Sequence, residues 1–401
     1  MSGGAAPQPQ RPVRAPAGAA GAVEGGQPLR LAVVGAGIGA RYAESFQRVP
    51  GVEVVALCAS STRNAAPAAA RLGIAEVHTD VALMLERCQP DIVAVATPND
   101  THHEITLQAL DAGAHVLCDK PLAMDAPQAL AMWRAAEQRG ARHVVPFWWR
   151  FLPAIAQAHE LLADGSFGEP YFLNATYLNC GWGDPQGPMR WQFDTARAGS
   201  GALGNVGSHA IHVVQWLAGE LTRVCAHTKV NVPLRRWPDG SPARPDGEDT
   251  VAFVAALDNG APVSFIASSV AHEARSCFSV SFHLSEGSVT VEARSQEDGD
   301  VRARLLAMRR GESAPREVAP QSSAAGAPGA LGGAGGPGGA GALLAIDRAY
   351  TEIATELIAA IREGRPAAPG FREALRVQEV IDAAQESVAS DGWVQVRRAE
   401  L

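Results

Sequence analysis

No stretch of this chain comes near the roughly 18 consecutive apolar residues that a membrane-spanning helix needs, and no apolar core follows the arginines near its N-terminus. Neither a membrane span nor a secretory leader is expected, and the cytoplasm is the expected compartment. Cysteine is sparse and scattered. The six residues, at 58, 88, 118, 180, 225 and 277, include no Cys-x-x-Cys pair, so neither a zinc cage nor a disulfide framework is expected. An excess of positive charge is missing too. With 34 Lys+Arg against 42 Asp+Glu the formal net charge is -8, which disfavours nucleic acid and anionic membranes as partners.

Large apolar side chains are nearly absent from two stretches. Residues 1–28 hold seven Ala, six Gly and five Pro, and residues 324–342 hold nine Gly, seven Ala and two Pro. Such segments bury too little surface to offset their ordering entropy, so a disordered tail and a flexible loop are expected there. What remains of the 401 residues is rich enough in apolar residues for two domains with sizeable cores.

The first domain is expected over 29–148. Short apolar runs at Leu31–Val34, Val52–Cys58, Ile92–Ala96, His115–Cys118 and His143–Phe147 alternate with helical stretches such as Ile105–Ala112 and Ala126–Arg139. That alternation predicts an α/β domain with a doubly wound parallel sheet. After about residue 170 the pattern changes. Runs at Tyr171–Leu178, Val251–Leu257, Val263–Ala267, Cys277–Leu284 and Ser288–Val291 are joined by short polar turns, which predicts an α+β second domain over 149–401 with a large antiparallel sheet. Ile346, Tyr350, Ile353, Leu357 and Ile361 keep helical spacing until Gly364 and Pro366, and a further helix is expected from about Phe371 to Ser387.

Gly35-Ala36-Gly37-Ile38-Gly39-Ala40 follows the first strand and opens a helix. In that context a Gly-x-Gly-x-x-Ala match predicts a dinucleotide site: Gly35 permits the tight turn, Gly37 admits the pyrophosphate, and Ala40 allows close helix packing. The other reading is an ordinary Gly turn in an Ala-rich chain. At the end of the second strand no acid follows, and the chain reads Ala59-Ser60-Ser61-Thr62-Arg63. Hydroxyls with an arginine suit a 2′-phosphate, so NADP(H) is favoured with NAD(H) left open. The alternative is that Ser61 or Thr62 only caps the next helix and Arg63 is solvated.

Thr97-Pro98-Asn99 and Cys118-Asp119-Lys120-Pro121 stand at carboxyl ends of strands, where open parallel sheets bind ligands. Thr-Pro-Asn-x-x-His at 97–102 and Asp-Lys-Pro at 119–121 resemble the Gfo/Idh/MocA oxidoreductase family, whose usual second motif is Glu-Lys-Pro. Gly199-Ser200-Gly201-Ala202-Leu203, leading to Gly207-Ser208-His209, and the closing Phe371–Ser387 run extend the likeness over about residues 29–398. The resemblance implies an N-terminal Rossmann domain, a C-terminal domain with a large, mostly antiparallel sheet, and homodimers or homotetramers formed through that sheet. It also implies that Thr97, Pro98, Asn99, His102 and Asp119 lie near the cofactor, and that Lys120 reaches both the cofactor site and the substrate oxygen.

His209 matches the histidine of the family's Asp-x-x-x-His element, where it serves as acid/base or orients substrate; a capping or core histidine is the plainer reading. The aspartate that opens this element is replaced here by Asn205, which cannot take a proton. His212 lies one turn on from His209, but with no third clustered ligand no metal is expected there. Trp148, Trp149, Arg150 and Phe151 follow the last parallel strand, and Trp149 and Arg150 are candidate substrate contacts, with core packing at least as plausible for the tryptophans. Trp182, Arg190 and Trp191 are similar candidates, with Arg190 the one expected to set substrate charge. The reading is an NAD(P)-dependent dehydrogenase or reductase acting on a polyol, sugar or related hydroxy or carbonyl compound. Its rival is a catalytically silent NAD(P)-binding regulator, kept open by Asn205.

Overall fold

The computed structural model describes residues 27–272, 276–319 and 343–400. Most of the expected N-terminal tail and all of the expected loop at 324–342 lie outside the described residues.

Six parallel strands build the first sheet: β1 (Leu29–Val34), β2 (Val52–Cys58), β3 (Glu76–His78), β4 (Ile92–Val95), β5 (His115–Cys118) and β6 (His143–Val144). Their order is β3-β2-β1-β4-β5-β6, the doubly wound arrangement. β4 and β5 are buried at every position, as a sheet covered on both faces requires. The expected strand at His143–Phe147 is shorter than its apolar run. It ends after Val144 because the Val145 N–H donates to Pro369 O instead, and Pro146 has no N–H to give.

The connecting helices are α1 (Ile38–Gln47), α2 (Thr62–Leu72), α3 (Val81–Cys88), α4 (His102–Asp111) and α5 (Ala126–Gln138). Side chains of Ser61, Asp80 and Asp125 accept from the first-turn amides of α2, α3 and α5 and so fix where those helices begin.

The second domain contributes α6 (Pro153–Ala163), β7 (Pro170–Asn179), α7 (Thr195–Ala198), α8 (Ser208–Ala218) and β8 (Leu221–Lys229). A small ribbon follows, β9 (Arg235–Arg236) with β10 (Pro242–Ala243). Then come β11 (Thr250–Leu257), β12 (Pro262–Ser268), β13 (Ser276–Leu284), β14 (Gly287–Ser295), β15 (Val301–Arg309) and β16 (Arg316–Val318). The chain closes with α9 (Ala345–Glu363), α10 (Phe371–Ser390) and β17 (Val394–Gln395). Nine strands form one sheet in the order β16-β15-β14-β13-β7-β12-β11-β8-β17. All neighbours are antiparallel except β7 and β12, which run parallel because β7 is inserted between the hairpins β11–β12 and β13–β14.

Helices α9 and α10 return to the first domain. Arg41 of α1 pairs with Asp347 of α9 at 2.8 Å, and Asp382 of α10 accepts the Ala126 N–H at 2.7 Å. The stripe Tyr350, Ile353, Leu357 and Ile361 is buried as its spacing predicts, and Gly364 ends α9 in the left-handed region at φ +70°. Among the described residues no helix is long and apolar enough to cross a membrane.

Candidate active site

The carboxyl ends of β1, β4 and β5 open onto a cavity of about 1010 Å³ whose far wall comes from the second domain. Its near wall is the glycine turn. Gly35 sits at φ +112°, and a Cβ there would stand 2.1 Å from the Ala96 carbonyl oxygen, so no other residue fits. The close helix-to-strand contact expected of Ala40 belongs to Gly39, where a Cβ would meet Val33 Cγ1 at 2.8 Å. Around Gly37 nothing lies within 4 Å of such a Cβ, and Gly37 and Ile38 both line the cavity. With no acid in the first turn of α1, its free amides present an anion site of the kind a pyrophosphate needs. Gly35→Ala adds a strained φ, worth about 1–3 kcal/mol, to a backbone clash. A drop in melting temperature of several degrees with at least a tenfold loss of NADH affinity is the expected outcome, checked by calorimetry.

Thr97, Pro98, Asn99, Asp119 and Lys120 line the same cavity. Asn99 Nδ2 donates to Ala198 O at 2.8 Å, which ties the end of β4 to the second domain. His102 is fully buried and away from the cavity lining: its Nε2 faces Thr97 O at 2.9 Å and its Nδ1 faces Pro121 O at 3.0 Å. It stands between the two strand-end motifs, against Thr97 O and Pro121 O. Burial lowers its pKa, with Asp119 and the carbonyls opposing.

At the other end of the cavity Ser60 lines the wall. Ser61 does not, because its hydroxyl accepts the Asn64 N–H as the cap of α2. Arg63 is exposed and also off the lining, whereas Asn64, which sequence reasoning passed over, is on it.

Lys120 reaches across the cleft. Its Nζ donates to Asn205 O at 2.6 Å and Asn205 Oδ1 at 3.3 Å, where Asn205 lies on a π-helical turn, Leu203–Gly207, that leads into α8. Burial lowers the Lys120 pKa and the Asp119 carboxylate opposes that shift. His209, one turn beyond Asn205, faces the same cavity. Burial above all, then the Lys120 ammonium and His212, hold its pKa well below the ordinary imidazole value, so the ring is neutral at pH 7. Among the described residues its Nδ1 has no hydrogen-bond partner.

Four expected substrate contacts are placed elsewhere. Trp149 is fully buried, stacked on Trp148 and on Phe278, and edge-on to Tyr177, which is the residue that lines the cavity. Its large apolar ring is worth more inside the core than on a wet wall. Arg150 pairs with Glu373 at 2.7 Å and lies over Trp216, clasping α10 to α8. Arg190 is exposed, while its neighbours Trp191 and Gln192 line the cavity. Trp182 is buried edge-on to Phe193. Residues 29–147 match the family model described as "Oxidoreductase family, NAD-binding Rossmann fold", and residues 155–290 match the GFO/IDH/MocA C-terminal domain.

The chain belongs to the Gfo/Idh/MocA oxidoreductase family.

Among its curated relatives, levoglucosan dehydrogenase of Pseudarthrobacter phenanthrenivorans is 30% identical over 348 residues, covering 83% of this chain and 86% of the relative. D-glucoside 3-dehydrogenase of Escherichia coli is 32% identical over 244 residues, covering 58% and 68%. Among solved structures, levoglucosan dehydrogenase in complex with NADH and levoglucosan superposes with a TM-score of 0.82 at 27% identity, covering 93% of this chain and 100% of that one. An oxidoreductase domain protein from Kribbella flavida gives 0.83 at 30% identity, again covering 93% and 100%. This member of the Gfo/Idh/MocA family is accordingly an oxidoreductase that moves a hydride between a nicotinamide cofactor and a hydroxy or carbonyl compound.

Proposed function

We propose that the enzyme oxidises, or in reverse reduces, an uncharged polyhydroxylated ring such as a sugar, anhydrosugar or polyol. The observation that carries this reading is that Lys120 of the first domain meets Asn205 across the cleft, with His209 of the second domain lining the same cavity as the glycine turn. Bound nicotinamide supplies the hydride acceptor or donor. An ammonium has three N–H donors, and Asn205 occupies two of those on Lys120, so one is left for the substrate oxygen. A neutral His209 takes the hydroxyl proton in oxidation and returns it in reduction. The charges support an uncharged substrate. Of the other ionic residues on the lining, Asp119 accepts from Tyr42 and from the Lys120 N–H, and Arg197 faces Asp100 at 3.8 Å. Among the described residues no cation on the lining other than Lys120 stands without a carboxylate partner.

Turnover of NAD+ and NADP+ against a panel of sugars, anhydrosugars, polyols and hydroxy acids tests the reading. Activity confined to hydroxy acids would refute the substrate class. Cofactor binding with no turnover at all would point to the regulatory alternative.

The further proposal is that NADP(H) is accepted alongside NAD(H). No carboxylate stands at the end of β2 to repel a 2′-phosphate, and Arg63, on the first turn of α2, makes no ion pair among the described residues and is free to swing toward one. Arg63→Ala is expected to weaken NADPH binding by about 1.5–3 kcal/mol and to spare NADH, as calorimetry would report. Equal effects on both would remove Arg63 from cofactor selection.

A homo-oligomer formed through the large sheet is also proposed. One face is backed by helices, and exposed apolar residues stand on its strands: Tyr171 (62%), Phe172 (41%), Val254 (46%) and Ile266 (44%).

A further inference from the structure

A second group of chemistry-bearing side chains lies at the edge of the parallel sheet, outside the active site. Glu76 and His78 are two residues apart on β3 and so project from the same face of the strand. Cys88 ends α3, the helix that follows β3 after a two-residue link, and its thiol lies against them. Cys88 Sγ is 3.5 Å from His78 Nε2, which is in turn 3.4 Å from a Glu76 carboxylate oxygen, and all three ligand atoms lie within 4.8 Å of one another. His78 and Cys88 are buried, while Glu76 is exposed.

These separations have a chemical meaning. With Zn–S of about 2.3 Å and Zn–N and Zn–O of about 2.0–2.1 Å, tetrahedral angles set S···N about 3.5 Å and N···O about 3.3 Å apart. The S···N and N···O edges already stand at those separations, and the remaining S···O edge lies within 4.8 Å. We propose that Glu76, His78 and Cys88 form a binding site for a zinc-like divalent cation, with water at the fourth position.

The ligand set is one thiolate, one imidazole and one carboxylate, which suits a borderline-soft ion and not magnesium or calcium. Two ligands on a short strand and one on the adjoining helix are held by the fold itself. The Asp80 side chain caps α3 by accepting the Leu83 N–H at 2.9 Å, and the Arg30 guanidinium holds the far end through Cys88 O at 2.9 Å. Exposure of Glu76 leaves a route in from solvent. Binding takes Cys88 as its thiolate and so releases a proton. The site is structural. It would fasten the β3–α3 link, of which Thr79 lines the cofactor cavity, as does Val81 at the start of α3.

Cobalt(II) titration of the untagged, chelator-treated full chain tests this, followed by zinc competition. A thiolate-to-cobalt charge-transfer band saturating at one ion per chain is expected, displaced by zinc, with the protein melting at a higher temperature when loaded. Cys88→Ser should abolish the band and His78→Gln should weaken binding by roughly 10–100-fold or more. Glu76→Gln changes only an exposed side chain, so it keeps the test decisive even if the buried variants fold poorly; it too should weaken zinc binding, with metal-free melting unchanged. No band in the parent, a band that survives Cys88→Ser, or unaltered zinc affinity in Glu76→Gln would each overturn the site.

Discussion

Lys120→Met is expected to lower kcat by about 10²–10³-fold while changing NADH affinity by far less, because a preorganised donor acts chiefly where charge develops on the substrate oxygen. Asn205 holds the ammonium through its main-chain and side-chain oxygens at 2.6 and 3.3 Å, so the donor is fixed before substrate arrives. Methionine keeps the length and the packing and removes all three N–H groups. The competing account is a strut: Lys120 bridges the two domains, and its loss could simply loosen the cleft. A strut predicts lower melting temperature and weaker NADH binding together with lower turnover. A donor predicts the fall in kcat alone. Steady-state kinetics with NADH fluorescence titration and a thermal melt separate them, and an unchanged kcat would remove Lys120 from the chemistry.

The lysine was legible for a reason beyond its motif. Lys120 and Lys229 are the only lysines among the 34 basic side chains of the chain. A sequence that otherwise uses arginine keeps at 120 the compact, deprotonatable ammonium that a guanidinium cannot replace. Five strands of the doubly wound sheet were legible as well, each an apolar run between helical stretches, whereas β3, the three residues Glu76–His78 with one aliphatic side chain, was not. The antiparallel neighbours were read less completely. β8 carries Arg223, His227 and Lys229, and β15 carries Arg302 and Arg304, so a strand with one solvated face shows too few apolar residues to stand out. The parallel pairing of β7 with β12 leaves no local trace, because it is set by which hairpins flank β7.

Within the site, the motif residues were found, Asn205 and His209 of the second domain among them through the family likeness, and the tyrosines that tertiary packing adds were not. Tyr42, Tyr177 and Tyr350 all line the cavity, yet they lie on α1, β7 and α9, far apart in sequence. Burial and Asp119 raise the Tyr42 pKa well above the ordinary phenol value, so it remains the donor to Asp119 at 2.9 Å. A signal was available. The chain has four tyrosines, and Tyr350 interrupts an aliphatic helical stripe where a purely structural role would favour Leu or Ile. Trp149 misled for the opposite reason: an aromatic beside an arginine after the last parallel strand suits a substrate wall, but a ring of that size is taken by the core formed with Phe278. His78 and Cys88 escaped notice because the spacing of cysteines to one another says nothing about a histidine on the preceding strand.

Asn205 is where the chain departs from its family, and the structure gives the departure a direction. His209→Ala should reduce turnover by about 10²–10⁴-fold, the usual weight of a general acid/base, with cofactor binding retained. Asn205→Asp is the sharper change. Its carboxylate would stand where Oδ1 now meets Lys120 Nζ at 3.3 Å, on the turn directly before His209. In the parent, oxidation needs His209 neutral, and burial keeps it neutral to well below the ordinary imidazole range, so the acid limb of the profile lies at low pH. It also needs Lys120 protonated, and burial brings the alkaline limb down. A nearby carboxylate favours the charged form of both groups and raises both pKa values. The whole bell of kcat/KM against pH should therefore move upward in Asn205→Asp, the acid limb encroaching on neutral pH and the alkaline limb extending. A shift of the alkaline limb alone would mean that Asn205 acts through Lys120 and not through the histidine. No shift in either limb would show that neither proton is held where the cavity places it.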